Sequence, residues 1–248
     1  MLDEIRIELQ QPAQEFKYAA TRIIDESVRS IVDNYRNEID FLKSSKQAGI
    51  IGVYISRAEA VGAFLPFLEE EKKEILLLGS SLKGLLLEFD TEYENARALL
   101  KRKNSDGVKI RFLLTHPIVA DLRAKQENRE YKDIGKEILK SLSTLIDDND
   151  WKIEPKNIKL YIGTPTCFGI KTASTMLLNT YPYMKEAYAS PCLIIKKPGY
   201  LFEHFLSSHF KAWDSSMAIN IPKSITELEN NLEHYANQIK KFMIFENQ

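Results

Sequence analysis

Between Gln47 and Pro222 short aliphatic runs alternate with amphipathic stretches, and this alternation limits the fold more than any other feature of the chain. Gly49–Ile55 (GIIGVYI), Glu74–Leu78 (EILLL) and Val108–Leu114 (VKIRFLL) read as buried strands. Ser56 with Glu59, and Thr91 with Glu94, have the spacing at which a hydroxyl and a carboxylate satisfy the free N–H groups of a new helix. The first pair opens a helix carrying Val61, Phe64, Leu65 and Leu68. The second opens a helix through Leu99 and Leu100 that Gly107 stops. Helical stretches around Ala120–Glu127 and Ile134–Ile146 follow. Strands resume at Ile158–Ile162, Cys167–Thr172, Met176–Asn179 and Leu193–Lys196, and an amphipathic helix from about Tyr200 to Trp213 closes the section. Alternation of this kind predicts an α/β fold, a largely parallel or mixed sheet with helices on its faces.

Helical segments flank this section, dividing the chain into residues 1–46, 47–222 and 223–248. The first begins near Pro12, a residue suited to a first helical turn. Phe16, Ala20, Ile24, Val28, Ile31, Tyr35, Ile39 and Leu42 follow at steps of four and three, which keeps them on one stripe. Arg22, Asp25, Arg29, Asp33, Arg36 and Glu38 lie between them as a solvated face. A long helix with one apolar stripe needs another surface to lie on. In the last segment Ser224 and Glu227 have capping-box spacing, and Leu228, Leu232, Tyr235, Ile239 and Phe242 run at heptad intervals. Two readings of these terminal helices stand: packing on the body of their own subunit, or pairing with each other or across a dimer. The chain has no internal repeat and no low-complexity segment.

Composition narrows the class. With 34 basic and 35 acidic residues the formal net charge is -1, so no overall field draws the chain to nucleic acid, which is not an expected partner on that ground. A local basic patch is compatible with that balance. The two cysteines, Cys167 and Cys192, are too few for a disulfide framework. The opening MLDEIRIELQQ has no apolar run of signal-peptide length, and no stretch is apolar for long enough to span a bilayer. The expectation is a cytoplasmic protein with reduced thiols and no membrane span, cofactor or metal.

Several pieces of the middle section resemble the phospholipase D superfamily. Ala98–Leu114 (ALLKRKNSDGVKIRFLL) is similar to that family's helix leading into a Gly-Val-Lys-Val-type strand. Glu71–Gly79 (EKKEILLLG) is similar to the strand opening the same half-domain, and Leu201–Ser215 (LFEHFLSSHFKAWDS) to its closing helix. The resemblance implies a phospholipase D-like mixed sheet, with a long N-terminal helix and a C-terminal helix added here. The family's diagnostic motif is His-x-Lys-x4-Asp, whose histidine is the nucleophile, whose lysine clamps the phosphoryl oxygens and whose aspartate orients a histidine. The best match here is Cys167-Phe168-Gly169-Ile170-Lys171. Lys171 fits the lysine, but Gly169 stands at the histidine position and Met176 at the aspartate position. Glycine cannot carry a phosphoryl group, so this resemblance implies an inactive relative, a pseudoenzyme. A single-motif unit also implies a homodimer sharing one cleft. The strings THP, GTPTCF and LLNTYPY resemble stretches of bacterial proteins carrying a degenerate domain of this kind, some joined to regulatory or DNA-binding modules.

The candidate ligand-binding residues are Lys171, His116, Thr164, Thr166, Cys167, Asn179, Tyr181, Tyr183 and Arg123. Strand alternation puts Cys167, Gly169 and Lys171 on one face, where an inward lysine needs a carboxylate or an anionic ligand. The other reading is a lysine at an exposed strand end. His116 ends a strand, where ligands gather in α/β sheets, with Arg123, Glu127 and Arg129 following; equally it reads as a turn histidine satisfied by backbone. Thr164 and Thr166 flank Pro165 in a turn whose hydroxyls suit an anion, though plain turn chemistry explains them too. Cys167 is a nucleophile only if a neighbour lowers its pKa and otherwise a small core residue. Asn179, Tyr181 and Tyr183 offer an amide and two phenols beside a strand end, for a base or sugar, for rim packing or for a dimer contact.

Three functions follow as expectations. The first is an inactive phospholipase D-like sensor or adaptor in signalling, binding a small anionic, nucleotide-like ligand in a dimer cleft and passing its state to a regulatory protein. The second is a phosphodiesterase or hydrolase with chemistry relocated to His116 or Cys167. The third is a structural protein-interaction module.

Overall fold

Eight strands join into one mixed sheet in the order β1-β7-β6-β5-β2-β3-β4-β8. The computed structural model describes residues 2–120, 124, 130, 133–163, 166–182, 190–222, 224 and 226–232, with side chains for all of these except 2–13, 16 and 133. The chain divides into two compact units, residues 1–46 and 47–248.

The first unit lies within a single helix, α1, that runs Leu2–Ala48. It begins ahead of Pro12 rather than at it, because the preceding residues are largely good helix formers and one missing N–H does not stop the run. Gly49 ends it at φ +82, a conformation that favours glycine.

In the second unit the strands are β1 (Ile50–Tyr54), β2 (Glu74–Gly79), β3 (Lys109–Thr115), β4 (Ile158–Tyr161), β5 (Cys167–Lys171), β6 (Thr175–Thr180), β7 (Cys192–Lys196) and β8 (Ala218–Asn220). Only β2-β3 and β3-β4 pair in parallel; the remaining pairs are antiparallel. The helices are α2 (Arg57–Glu70), α3 (Lys83–Leu87), α4 (Thr91–Ser105), α5 (Asp133–Asp147) and α6 (Tyr200–Ser208), which a 3-10 turn at Phe210–Asp214 follows. Residues 226–232 are also helical. Among the described residues no helix is long and apolar enough to cross a membrane.

Each face of the sheet buries its own core. Ile75, Leu77, Ile110, Phe112, Phe168, Ile170, Leu177 and Ile194 point to one face and pack with Phe64 and Leu68 of α2, Leu100 of α4 and Ile138 and Leu142 of α5. Leu228 belongs to this core, so the start of the C-terminal helix lies on its own body. Leu76, Leu78, Leu113, Cys167, Met176, Leu178 and Ile195 point the other way, under Phe202, Phe210 and Trp213.

Local chemistry explains most element ends. Ser56 Oγ accepts from the Glu59 N–H at 3.3 Å, while the Glu59 carboxylate reaches back to the N–H of Ile55, one residue before the cap. For α4 the cap is Asp90 rather than Thr91, since its carboxylate accepts from the Glu92 N–H at 2.9 Å and a charged acceptor suits a helix N-terminus. The expected helix Tyr200–Trp213 tightens into a 3-10 turn after Ser208. The short α3 and β8 carry no periodic signal. At the base of α1, Gly49 and Gly199 meet backbone to backbone: a Cβ on Gly199 would stand 2.5 Å from Gly49 Cα.

Candidate functional site

The strand β5 positions the motif-like run. It pairs with β2 so that Leu76 faces Lys171 and Leu78 faces Gly169, and the pleat sends Cys167, Gly169 and Lys171 toward Phe202, Phe210 and Trp213. A Cβ at Gly169 would lie 2.8 Å from Cζ of Phe210. An aromatic ring therefore stands over Gly169, and Met176 is buried in the same core.

Lys171 is half-buried beyond this aromatic cover. Desolvation pushes its ammonium pKa below the ordinary lysine range, Lys197 and Arg111 push the same way, and Glu74 and Glu71 oppose them. Both carboxylates are engaged elsewhere. Glu74 pairs with Arg111 at 3.2 Å. Burial works against Glu71, yet N–H groups of Ala173, Lys73, Glu74 and Lys72 hold its carboxyl below the usual carboxylate range. The shortest of these bonds are 2.6 Å from Ala173 and 2.8 Å from Lys73. Among the described residues Lys171 has no ion pair of its own.

The same face carries three more cations, each on an aromatic ring. Lys197 lies 4.8 Å from the Phe202 centroid, Arg111 5.1 Å and Lys159 4.9 Å from that of Trp213. Lys159 also donates to the Trp213 carbonyl at 2.8 Å. Arg111 Nε is buried without a hydrogen-bond acceptor among the described residues. Leu76 is in register with both Lys171 and Arg111, which places those two strand positions about 10 Å apart. The result is a basic row, Lys197, Lys171, Arg111 and Lys159, with Glu74 the one carboxylate among the described residues paired into it.

The remaining candidates sit at the far end of β5 or outside the described residues. Cys167 and Lys171 terminate the same strand, about 13 Å apart, so one small pocket does not hold both. Cys167 is fully buried and burial pushes its thiol up to about 12; Cys192 is likewise pushed up to about 11. His116 is buried, its pKa drawn down to about 4 by desolvation. Its N–H donates to the Tyr161 carbonyl at 2.9 Å and its Nδ1 accepts from Ile118 N–H at 3.3 Å. Thr166 is exposed, with Oγ1 2.8 Å from His209 Nε2. The Tyr181 hydroxyl accepts from the Ser80 N–H at 3.0 Å, and burial raises its pKa. Thr164, Arg123 and Tyr183, like Glu127 and Arg129, lie outside the described residues.

Asn179 is buried and serves the core. Its Oδ1 accepts from Arg57 Nε at 2.9 Å and Nη2 at 2.7 Å, and its Nδ2 donates to the Ser190 carbonyl at 3.0 Å. Sequence reasoning missed Arg57, which also covers the Phe168 ring at 4.7 Å. A signal was available: arginine in the first turn of a helix opposes the helix dipole, so another partner has to hold it there. Ser80 Oγ and Thr115 Oγ1, at the carboxyl ends of β2 and β3, are buried with no hydrogen-bond partner among the described residues. Among those residues no group of histidine, cysteine and acidic side chains is placed to hold a metal ion.

No protein-family model and no curated protein matches the chain in sequence. Among solved structures it is similar to TrmBL2, an archaeal chromatin protein with a novel mode of DNA binding, at 13% identity and a TM-score of 0.40 over 86% of this chain and 70% of that one. It is similar to Nuc of Salmonella typhimurium, a phospholipase D family member, at 12% identity and a TM-score of 0.35, covering 68% and 97% of the two chains. A third likeness is to phosphatidylserine synthase of Haemophilus influenzae Rd KW20, at 14% identity and a TM-score of 0.42, covering 72% and 40%.

Proposed function

We propose that this chain is a non-catalytic, phospholipase D-like binding module that takes a small phosphate-bearing anion on the basic row around Lys171. One observation carries the reading: a half-buried ammonium with no ion pair among the described residues, on the same sheet face as Arg111, whose Nε has no acceptor among those residues. A desolvated cation is costly alone, and an anion accepting from Lys171 would supply a counter-charge there. The chemistry around it favours binding over turnover. Phe210 covers Gly169, the thiols of Cys167 and Cys192 are held protonated, and the His116 imidazole is a poor base. These groups give a relocated hydrolase no activated nucleophile.

The test is a titration of the full chain with inorganic phosphate, pyrophosphate and adenosine triphosphate, followed by calorimetry and by tryptophan fluorescence. Trp213 lies against Arg111 and Lys159 and should report occupancy. Replacing Lys171 by Met keeps the stem and removes the charge, and should weaken binding by roughly tenfold or more. Unchanged affinity in the Lys171→Met protein would remove Lys171 from the site. Binding of none of the three compounds by the native chain would leave this face structural and favour the interaction-module reading.

A further inference from the structure

We infer that the anion taken by the basic row is a linear oligophosphate, whose linked phosphates run along the row from Lys197 through Lys171 and Arg111 to Lys159, rather than one isolated phosphate. The inference rests on the binding site proposed above and names the class of anion that fits it. Its first ground is the line of the row. Lys171 and Arg111 stand level with Leu76, on the strands to either side of β2. Lys159 is in register with Leu113, two residues further along β3 than Arg111. On the other flank the Lys197 N–H donates to the carbonyl of Ser174, two residues before Met176, the partner of Lys171. The four positions therefore lie on one diagonal across β7, β6, β5, β2, β3 and β4, which is five strand spacings or about 24 Å.

The second ground is how the charge is spread. Among the described residues the four cations stand against the carboxylates of Glu74 and Glu71, an excess of two positive charges. That excess is not gathered at one point. Lys197 lies over the Phe202 ring at 4.8 Å, and Lys159 lies over the Trp213 ring at 4.9 Å while donating to the Trp213 carbonyl. These contacts make the outer cations fixed stations rather than free arms that close on a single anion. Charged nitrogens hold phosphate oxygens at about 2.8 Å, so one phosphate seated on Lys171 leaves the two ends of the row unused. A chain of phosphates carries charge along its own length and meets the stations in turn.

The third ground separates this ligand from a nucleic-acid strand. Phe202 and Trp213, the rings beneath the row, are buried, and Lys197, Arg111 and Lys159 cover them. They present no open face on which a base could stack, the contact through which single-stranded nucleic acid adds to the affinity of its backbone. Arg111 Nε, buried and without an acceptor among the described residues, adds one more donor for an oxygen. The row therefore offers N–H donors and positive charge, and no platform for a base.

Calorimetry of the full chain with orthophosphate, tripolyphosphate and a longer linear polyphosphate tests this, with oligothymidylate as the nucleic-acid comparison. Affinity should rise roughly tenfold or more from orthophosphate to the longer chain, which should also show the steeper loss of affinity with salt. Lys197→Met and Lys159→Met should each cost the longer chain roughly fivefold more than they cost orthophosphate. Lys140→Met removes an exposed positive charge from α5, on the opposite face of the sheet, and should change none of the affinities. Circular dichroism checks that each variant is folded. Orthophosphate binding as tightly as the longer chain would overturn the inference and leave the site around Lys171 standing. Tighter binding of oligothymidylate than of polyphosphate, or equal losses in Lys140→Met and Lys197→Met, would also overturn it. Failure of every phosphate compound to bind the native chain would remove the site itself.

Discussion

Phe210 occupies the space into which any side chain at position 169 would grow. Introducing histidine at Gly169 should cost about 1–3 kcal/mol of stability by overpacking, read in urea denaturation, without creating phosphodiesterase turnover. Turnover on a phosphodiester reporter by Gly169→His would show that the machinery is otherwise intact. His116 offers a second test at this scale. Its folded pKa, about 4, lies below the ordinary value of 6.5, so the unfolded chain binds the proton more readily between those values. Stability should therefore hold above pH 6.5 and fall as the pH drops toward 4, with on the order of 3 kcal/mol lost across the window. In His116→Gln this portion of the pH dependence should vanish in the same denaturation series.

At the scale of elements, residue periodicity was a good guide wherever one face of an element decides its burial. The run VKIRFLL reads as a strand because its apolar residues include both faces of a central position, and β3 is buried along most of its length. The basic row is only partly visible. Lys171 stands out in an apolar strand, but Arg111, Lys159 and Lys197 lie on other elements, and their meeting depends on β5 entering between β6 and β2. Arg57 and Asn179 are 122 residues apart, and no local pattern announces such a pair. The three-residue β8 is equally silent, since a strand that short shows no alternation.

For the molecule as a whole, the sheet separates two chemistries. The helix-rich face holds an apolar core with Arg57 bonded to Asn179 and lying over the Phe168 ring, while the opposite face carries the row of Lys197, Arg111 and Lys159 over Phe202 and Trp213. Within the second unit Gly49 and Gly199 meet backbone to backbone, two residues beyond Lys197. Gly199→Ala should lower stability by about 1–3 kcal/mol, because its new methyl meets backbone, which cannot swing aside as a side chain does. Thermal melting of the variant checks this, and an unchanged melting temperature would show that the junction gives. The contact also carries a message about mutational history. A joint made of two bare backbones can be neither tuned nor rescued by a neighbouring rotamer, so a saturation scan should find positions 49 and 199 intolerant although neither carries a chemical group to lose.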